Sequence, residues 1–142
     1  MSLEQISVFV ENKTGKLNEV IKVLAANKLD IRAMTLADTA EFGILRLIAD
    51  DTIATVDALR AAGCVVSLTQ VLAVELKDRP GSLAKVLDAL ARAEVGIEYM
   101  YAFTSPKDDG AYVVMRVQDN DATEKALNEA GIRVASKEQF YS

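Results

Sequence analysis

The sequence has no histidine and a single cysteine, so the side chains that most often serve in catalysis and metal binding are nearly absent. Without histidine the commonest general acid and base is missing, and no Ser, Cys or Lys lies in a recognised nucleophile motif. Cys64 alone cannot form an intramolecular disulfide or a cysteine-rich metal site, and it suits a reducing cytoplasm. We therefore expect no catalytic residue, no metal and no cofactor, while carboxylates and tyrosines leave a small enzyme open as an alternative.

Positive charge and long apolar runs are scarce as well. Lys and Arg number 16 against 21 Asp and Glu, a net charge of -5, and an acidic chain gains no counterion-release attraction to a polyanion. No run approaches the roughly 18 apolar residues that a membrane span requires, and the N-terminus MSLEQISVFV has no basic leader. The sequence thus predicts a cytoplasmic protein that binds neither nucleic acid nor membrane.

What the sequence does have is a repeat. The stretch ENKTGKLNEVIKVL at Glu11 to Leu24 returns as KDRPGSLAKVLDAL at Lys77 to Leu90. Aligning Gly15 with Gly81 also aligns the apolar positions around them, and the second copy has a longer loop around SPKDDG. Two copies are too few for a solenoid. We therefore predict two small domains, residues 1–69 and 70–142.

Each copy opens with the pattern of a strand followed by a helix. Ile6 to Val10 and Leu72 to Leu76 alternate apolar and polar residues, which is typical of a half-buried strand. Apolar residues then recur at i, i+3, i+4 and i+7 from Leu17 to Leu24 and from Leu83 to Leu90, which predicts a helix lying on a sheet. Pro80 suits the first turn of the second of these helices.

A hairpin, a second helix and a fourth strand complete each copy. In the first copy the hairpin strands are Ile31 to Ala37 and Gly43 to Ala49, and the helix is about Thr52 to Ala62. The fourth strand begins near Cys64, and its equivalent is IRVASK at Ile132 to Lys137. Acidic runs, ADD and QDND, introduce the second helices, and glycines end them.

The order βαββαβ is that of the ferredoxin-like fold, an α+β fold in which an antiparallel sheet carries helices on one face. Between the copies, CVVSLTQVLAVEL contains no Gly, Pro, Asn or Asp. We therefore expect two ferredoxin-like domains side by side without a flexible linker. A small antiparallel sheet leaves unpaired strand edges, so we also expect a homodimer.

The residues between first strand and first helix point to a family. Asn12 to Leu17 and Asp78 to Leu83 both read [Asn/Asp]-x-x-Gly-x-Leu, and in βαββαβ order this motif resembles the ACT domain. FGILRLIADD and AYVVMRVQDND at the third strands add to the resemblance, which covers both copies and leaves only about Glu138 to Ser142 outside. The resemblance implies a stand-alone tandem ACT protein. Such domains bind small ligands, usually amino acids, where two domains pack side by side, and they regulate a metabolic enzyme or another partner.

The motif has a chemical reason to hold an amino acid. The first N–H groups of a helix lack intrahelical partners and sit at the positive end of its dipole, where a carboxylate is stabilised. Gly15 and Gly81 leave the approach open, and the Asp78 carboxylate or the Asn12 oxygen accepts from an α-ammonium. The second loop is favoured because Asp78 has a full charge and Ser82 a hydroxyl. The candidate ligand-binding residues are Asp78, Arg79, Pro80, Gly81, Ser82 and Leu83, with Asn12, Lys13, Thr14, Gly15 and Leu17 in the first loop. The alternative is that Asn12 and Asp78 only cap their helices and the glycines only turn the chain.

The strand IEYMYAF in the second copy differs from its counterpart IRAMTLA, which has no aromatic residue. Tyr99, Met100 and Tyr101 are candidates for a pocket around the ligand side chain, and core or dimer contacts remain the alternatives. An RNA-recognition module shares the βαββαβ order and is the rival binding function, alongside a small ferredoxin-like enzyme. The signature of an RNA-recognition module requires a basic residue before the glycine and aromatic residues after it. Here Asp108 and Asp109 precede Gly110, and in the stretch DDGAYVVMRV only Tyr112 is aromatic.

Overall fold

A computed structural model of the chain describes residues 2–38, 42–104 and 110–138. Its helices and strands in chain order are β1 (Leu3–Glu11), α1 (Lys16–Ala26), β2 (Ile31–Asp38), β3 (Phe42–Ala49), α2 (Thr52–Ala61), β4 (Val66–Leu76), α3 (Ser82–Arg92), β5 (Ile97–Thr104), β6 (Ala111–Val117) and α4 (Asn120–Glu129). The predicted α+β class and the repeated βαββαβ plan are confirmed.

The residues form two compact units, and β4 contributes to both of them. One unit is Glu4–Thr69, and the other starts at Gln70 and includes Leu3. In the first unit β1 and β2 each pair antiparallel with β3. The Phe9 N–H donates to the Val65 carbonyl at 3.1 Å, which places the start of β4 on the other side of β1. In the second unit β4 and β5 each pair antiparallel with β6.

The fourth strand of the second unit is shorter than predicted. Only Val134 forms a bridge, opposite Val74. Its neighbours add two backbone hydrogen bonds, from the Glu75 N–H to the Arg133 carbonyl at 2.9 Å and from the Ala135 N–H to the Ala73 carbonyl at 2.8 Å. The prediction of a strand across Ile132 to Lys137 was therefore wrong. The chain leaves the sheet at the polar residue Ser136, and Lys137 and Glu138 have helical backbone.

The core of each unit lies between its sheet and its helices. In the first unit the strand residues Ile6 and Leu45 pack with Leu59 of α2 and with Val20 and Leu24, the buried residues of α1. The second unit repeats this core with Leu72, Val74, Val86, Leu90, Val113, Met115 and Leu127. The apolar stripes predicted for α1 and α3 are thus the faces that the helices bury, and each such side chain contributes about 2 kcal/mol of burial free energy.

The second helix of each unit begins at an aspartate, as the acidic runs predicted. The Asp51 carboxylate accepts from the Ala54 N–H, and Asp119 accepts from the Ala122 N–H, both at 3.0 Å. Four residues after each aspartate, a buried threonine donates its hydroxyl to the aspartate carbonyl at 2.7 Å. These two contacts fix the first turns of α2 and α4 in the same way.

Loss of either cap should destabilise its unit. We expect Asp119→Ala and Asp51→Ala each to lower the free energy of unfolding by about 1 kcal/mol, because an N–H in the first turn loses its acceptor. Asp57→Ala is the matched control. Asp57 is an exposed residue inside α2, where alanine favours the helix by about 0.5 kcal/mol. Chemical denaturation followed by circular dichroism measures all three, and equal effects of Asp119→Ala and Asp57→Ala would contradict the capping role.

Candidate functional site

The loops that precede α1 and α3 follow the same backbone path. In the first loop the Lys13 N–H donates to the Glu11 carbonyl at 2.8 Å, and in the second the Arg79 N–H donates to the Lys77 carbonyl at 2.9 Å. Residues 12–15 and 78–81 are all exposed. The repeat seen in the sequence is therefore a repeat of loop geometry, and it presents two equivalent exposed helix starts.

A left-handed glycine stands immediately before each helix. Gly15 has φ +88 and Gly81 has φ +87, and both are the N-cap residues of their helices. This backbone conformation is open to glycine at little cost. Since α3 begins at Ser82, Pro80 lies ahead of the N-cap. The prediction that Pro80 belongs to the first helical turn was wrong, because the left-handed residue sets the start of the helix.

Asn12 and Asp78 do not cap their helices. They lie three residues before the N-cap positions, which Gly15 and Gly81 occupy, and no side-chain capping hydrogen bond is present at either N-cap. The first N–H groups of a helix have no intrahelical acceptor, and at α3 they include those of Leu83 and Ala84. These donors are available to a carboxylate.

Ser82 has a role in the second loop that the first loop lacks. Its hydroxyl accepts from the Lys77 N–H at 2.9 Å and ties the end of β4 to the first residue of α3. Lys16 occupies the equivalent place in the first loop. The second loop is thus closed by an additional hydrogen bond, which helps to hold the helix start in place.

A cavity of about 360 Å³ adjoins the second loop. Among the candidates it is lined by Arg79, Pro80, Gly81 and Ser82, while Asp78 and Leu83 lie outside the lining. The residues that sequence reasoning missed are Glu75, Lys77, Lys85, Val86, Gly131 and Ile132. Two of these, Lys77 and Lys85, are lysines where the first copy has Glu11 and Glu19, and this difference between the copies was the available signal.

The cavity at the first loop lies on another side of the motif. It measures about 240 Å³ and faces β2 and β3. Asn12, Lys13 and Leu17 line it with Val10, Glu11, Leu36 and Gly43, whereas Thr14 and Gly15 do not. The same loop geometry therefore adjoins different cavities in the two units.

The three candidates on β5 do not share one surface. Tyr99 and Tyr101 are half-buried on one face, and Met100 is 40% exposed on the other. In the pairing of β5 with β6, Tyr99 lies opposite Arg116 and Phe103 lies opposite Tyr112. The rings of Phe103 and Tyr112 stack with their centroids 5.4 Å apart. Tyr112 in turn lies opposite Glu75, near the end of β4 that leads into the second loop. Tyr112 and Arg116 are four residues apart along β6, which corresponds to about 13 Å. Phe103 is thus nearer to the second loop than Tyr99 is.

We also searched the described ranges for a metal site, a reactive thiol and a membrane-spanning helix. Residues 2–38, 42–104 and 110–138 include no group of three or more His, Cys, Asp or Glu side chains placed to hold a metal ion. Burial, with the charge of Glu19, raises the pKa of the Cys64 thiol, so the thiol is protonated and unreactive near neutral pH. No helix in the same ranges has both the length and the apolar character needed to cross a membrane.

Comparisons with known proteins agree with the fold of the two units. Residues 1–141 match a family model described as an ACT domain pair. A protein from Bacteroides thetaiotaomicron, known from its crystal structure, is 37% identical over 100% of this chain and 97% of its own, with a TM-score of 0.92. The regulatory subunits of aspartate kinase from Thermus thermophilus and Thermus flavus are 17% and 16% identical. They cover 89% and 90% of this chain and 91% and 92% of their own, with TM-scores of 0.63 and 0.60, and this likeness shows the fold. No curated protein matches the chain.

The glycine before α3 should be required for its backbone conformation. A Cβ at Gly81 meets no atom within 4 Å, so crowding is not the obstacle. We expect Gly81→Ala to lower the free energy of unfolding by about 1 kcal/mol and Gly81→Asn to lower it less, because asparagine tolerates the left-handed region. Gly96→Ala is the control, since its Cβ also meets open space but no left-handed backbone is required there. Equal stability of Gly81→Ala and Gly96→Ala in chemical denaturation would refute the requirement.

Proposed function

This chain is a member of the ACT domain family, with a pair of ACT domains, and on that premise we propose that it is a regulatory protein that binds a free amino acid. One observation carries the proposal. An uncapped helix start with a left-handed glycine adjoins a cavity of about 360 Å³, a volume suited to a ligand of that size. We place the ligand at the second loop.

Under this proposal each charged group of an amino acid has a partner at the second loop. The α-carboxylate accepts from the N–H groups of Leu83 and Ala84 at the positive end of the α3 dipole. Gly81 has open space where a side chain would stand, so the carboxylate can lie against the backbone. Glu75, which lines the cavity, accepts from the α-ammonium in place of Asp78, which lies outside the lining.

The first loop is a weaker second site under this proposal. Asn12, Lys13 and Leu17 face a smaller cavity, and Thr14 and Gly15 stand outside it. We further propose that ligand binding alters the affinity of the chain for an enzyme that it regulates in the cytoplasm. No catalytic step, nucleic acid or membrane enters the proposal.

The ligand class can be tested directly. We expect at least one protein amino acid to raise the melting temperature of the purified protein by several degrees, because a ligand that binds only the folded state stabilises it by about 2.7 kcal/mol at a hundredfold excess over its Kd. Single-stranded RNA should leave the melting temperature unchanged. A thermal-shift screen of the amino acids and related keto acids measures both. Micromolar, salt-dependent RNA binding with no response to any amino acid would favour the RNA-binding function instead.

We also propose that the protein is a homodimer that uses the β2 edge of the first unit. β2 pairs with β3 along one edge, and Met34 on β2 is 43% exposed, with Leu36 and Phe42 each 48% exposed beside it. An edge strand with exposed apolar side chains invites pairing with another chain.

Charge on this edge should break the dimer. We expect light scattering to give about twice the 15.4 kDa chain mass for the unaltered protein and the monomer mass for Met34→Lys, because a lysine on an edge strand opposes pairing. Ile53→Lys is the control. Ile53 is 76% exposed on α2, and its replacement should leave the dimer intact. A monomer of unaltered sequence across concentration would exclude the proposal.

A further inference from the structure

The charges around the two equivalent loops differ in a way that the fold does not require. In the first copy they are paired: Lys13 Nζ lies 3.2 Å from Glu11 Oε2, and Lys16 Nζ lies 3.6 Å from Glu19 Oε2. Each cation of that loop therefore has its own carboxylate. The first loop has no charge left over to attract an ion.

In the second copy both of those carboxylates are replaced by lysines. Lys77 stands where the first copy has Glu11, and Lys85 stands where it has Glu19, while Arg79 keeps the cation of Lys13. All three side chains line the cavity of about 360 Å³. Lys77 and Arg79 thus put two like charges at positions that form an ion pair of 3.2 Å in the first copy.

Among the residues that line the cavity, Glu75 is the acidic one, and the other nearby acidic side chains are engaged elsewhere or lie outside the lining. Glu75 Oε2 lies 3.7 Å from Arg133 Nε, and Asp88 Oδ2 lies 3.0 Å from Arg92 Nη2. Asp78 is exposed and is not part of the lining. Across the described part of the chain, no ion pair joins Lys77, Arg79 or Lys85 to a carboxylate within 4.0 Å. The cavity lining thus has three cations against one carboxylate, and an anion bound there would be attracted by the excess positive charge.

We propose that the second loop selects an amino acid with a second carboxylate, that is, an acidic amino acid. This rests on the proposed amino-acid-binding function and specifies its ligand. The α-carboxylate takes the N–H groups at the start of α3, and the side-chain carboxylate takes Lys77, Arg79 and Lys85. The positive charge of these three side chains exceeds what one ligand carboxylate neutralises. The excess attracts the charged side chain of aspartate or glutamate but not the neutral side chain of asparagine or glutamine. The first copy, with its charges paired, has no such preference.

The test compares isosteric pairs by calorimetry and thermal shift: aspartate against asparagine, and glutamate against glutamine. We expect at least one acid to bind about tenfold more tightly than its amide, with an affinity that falls as salt rises. Lys85→Gln should remove most of that preference. Lys125→Gln, the same change at an exposed position of α4 outside the cavity lining, should keep it.

Lys77→Glu is the second variant, because it restores the arrangement of Glu11 and Lys13. We expect it to fold with unchanged or slightly higher stability without ligand and to lose the preference for the acid. Equal affinity for acid and amide in the unaltered protein would overturn the inference and leave the proposed function standing. Binding of inorganic phosphate with no response to any amino acid would overturn both. Retention of the acid preference in both Lys85→Gln and Lys77→Glu would show that these cations are not its source.

Discussion

The left-handed backbone at Gly15 and Gly81 is the constraint on which the rest of the site depends. It turns the chain from a strand into a helix within a few residues, and it fixes the residue at which each helix begins. Because the N-cap is glycine, no side chain covers the first N–H groups of α1 and α3. Their positive dipole ends therefore face solvent, and this is the condition under which a helix start can hold a carboxylate.

The duplicated backbone separates what the fold requires from what a ligand requires. Features shared by both copies, such as the aspartate caps of α2 and α4 and the buried stripes of α1 and α3, maintain the two units. Features found in one copy alone are not required by the shared fold. The lysines Lys77 and Lys85 and the cavity that they line belong to this second class. Divergence between copies thus locates the proposed recognition chemistry.

Much of the fold could be predicted because its determinants are local. Alternation at Ile6 to Val10, the helical period from Leu17 to Leu24 and the aspartate before α2 each act over a few residues. The predictions that failed depended on longer-range or finer geometry. Among the described residues, two backbone hydrogen bonds flank the bridge between Val134 and β4, so a strand-like sequence there forms a bridge and not a strand. Which loop residues line a cavity also depends on contacts distant in sequence, and Gly131 and Ile132 line the second cavity while Asp78 does not.

Amide chemical shifts of the isotopically labelled protein, recorded with and without saturating aspartate, test the central claim most directly. The account predicts that the largest changes fall on the N–H groups of Leu83 and Ala84 at the start of α3. Smaller changes should fall on those of Leu17 and Asn18, the equivalent donors of α1. Equal changes at the two helix starts, or changes centred on the helical surface near Asp88 and Ala126, would contradict it.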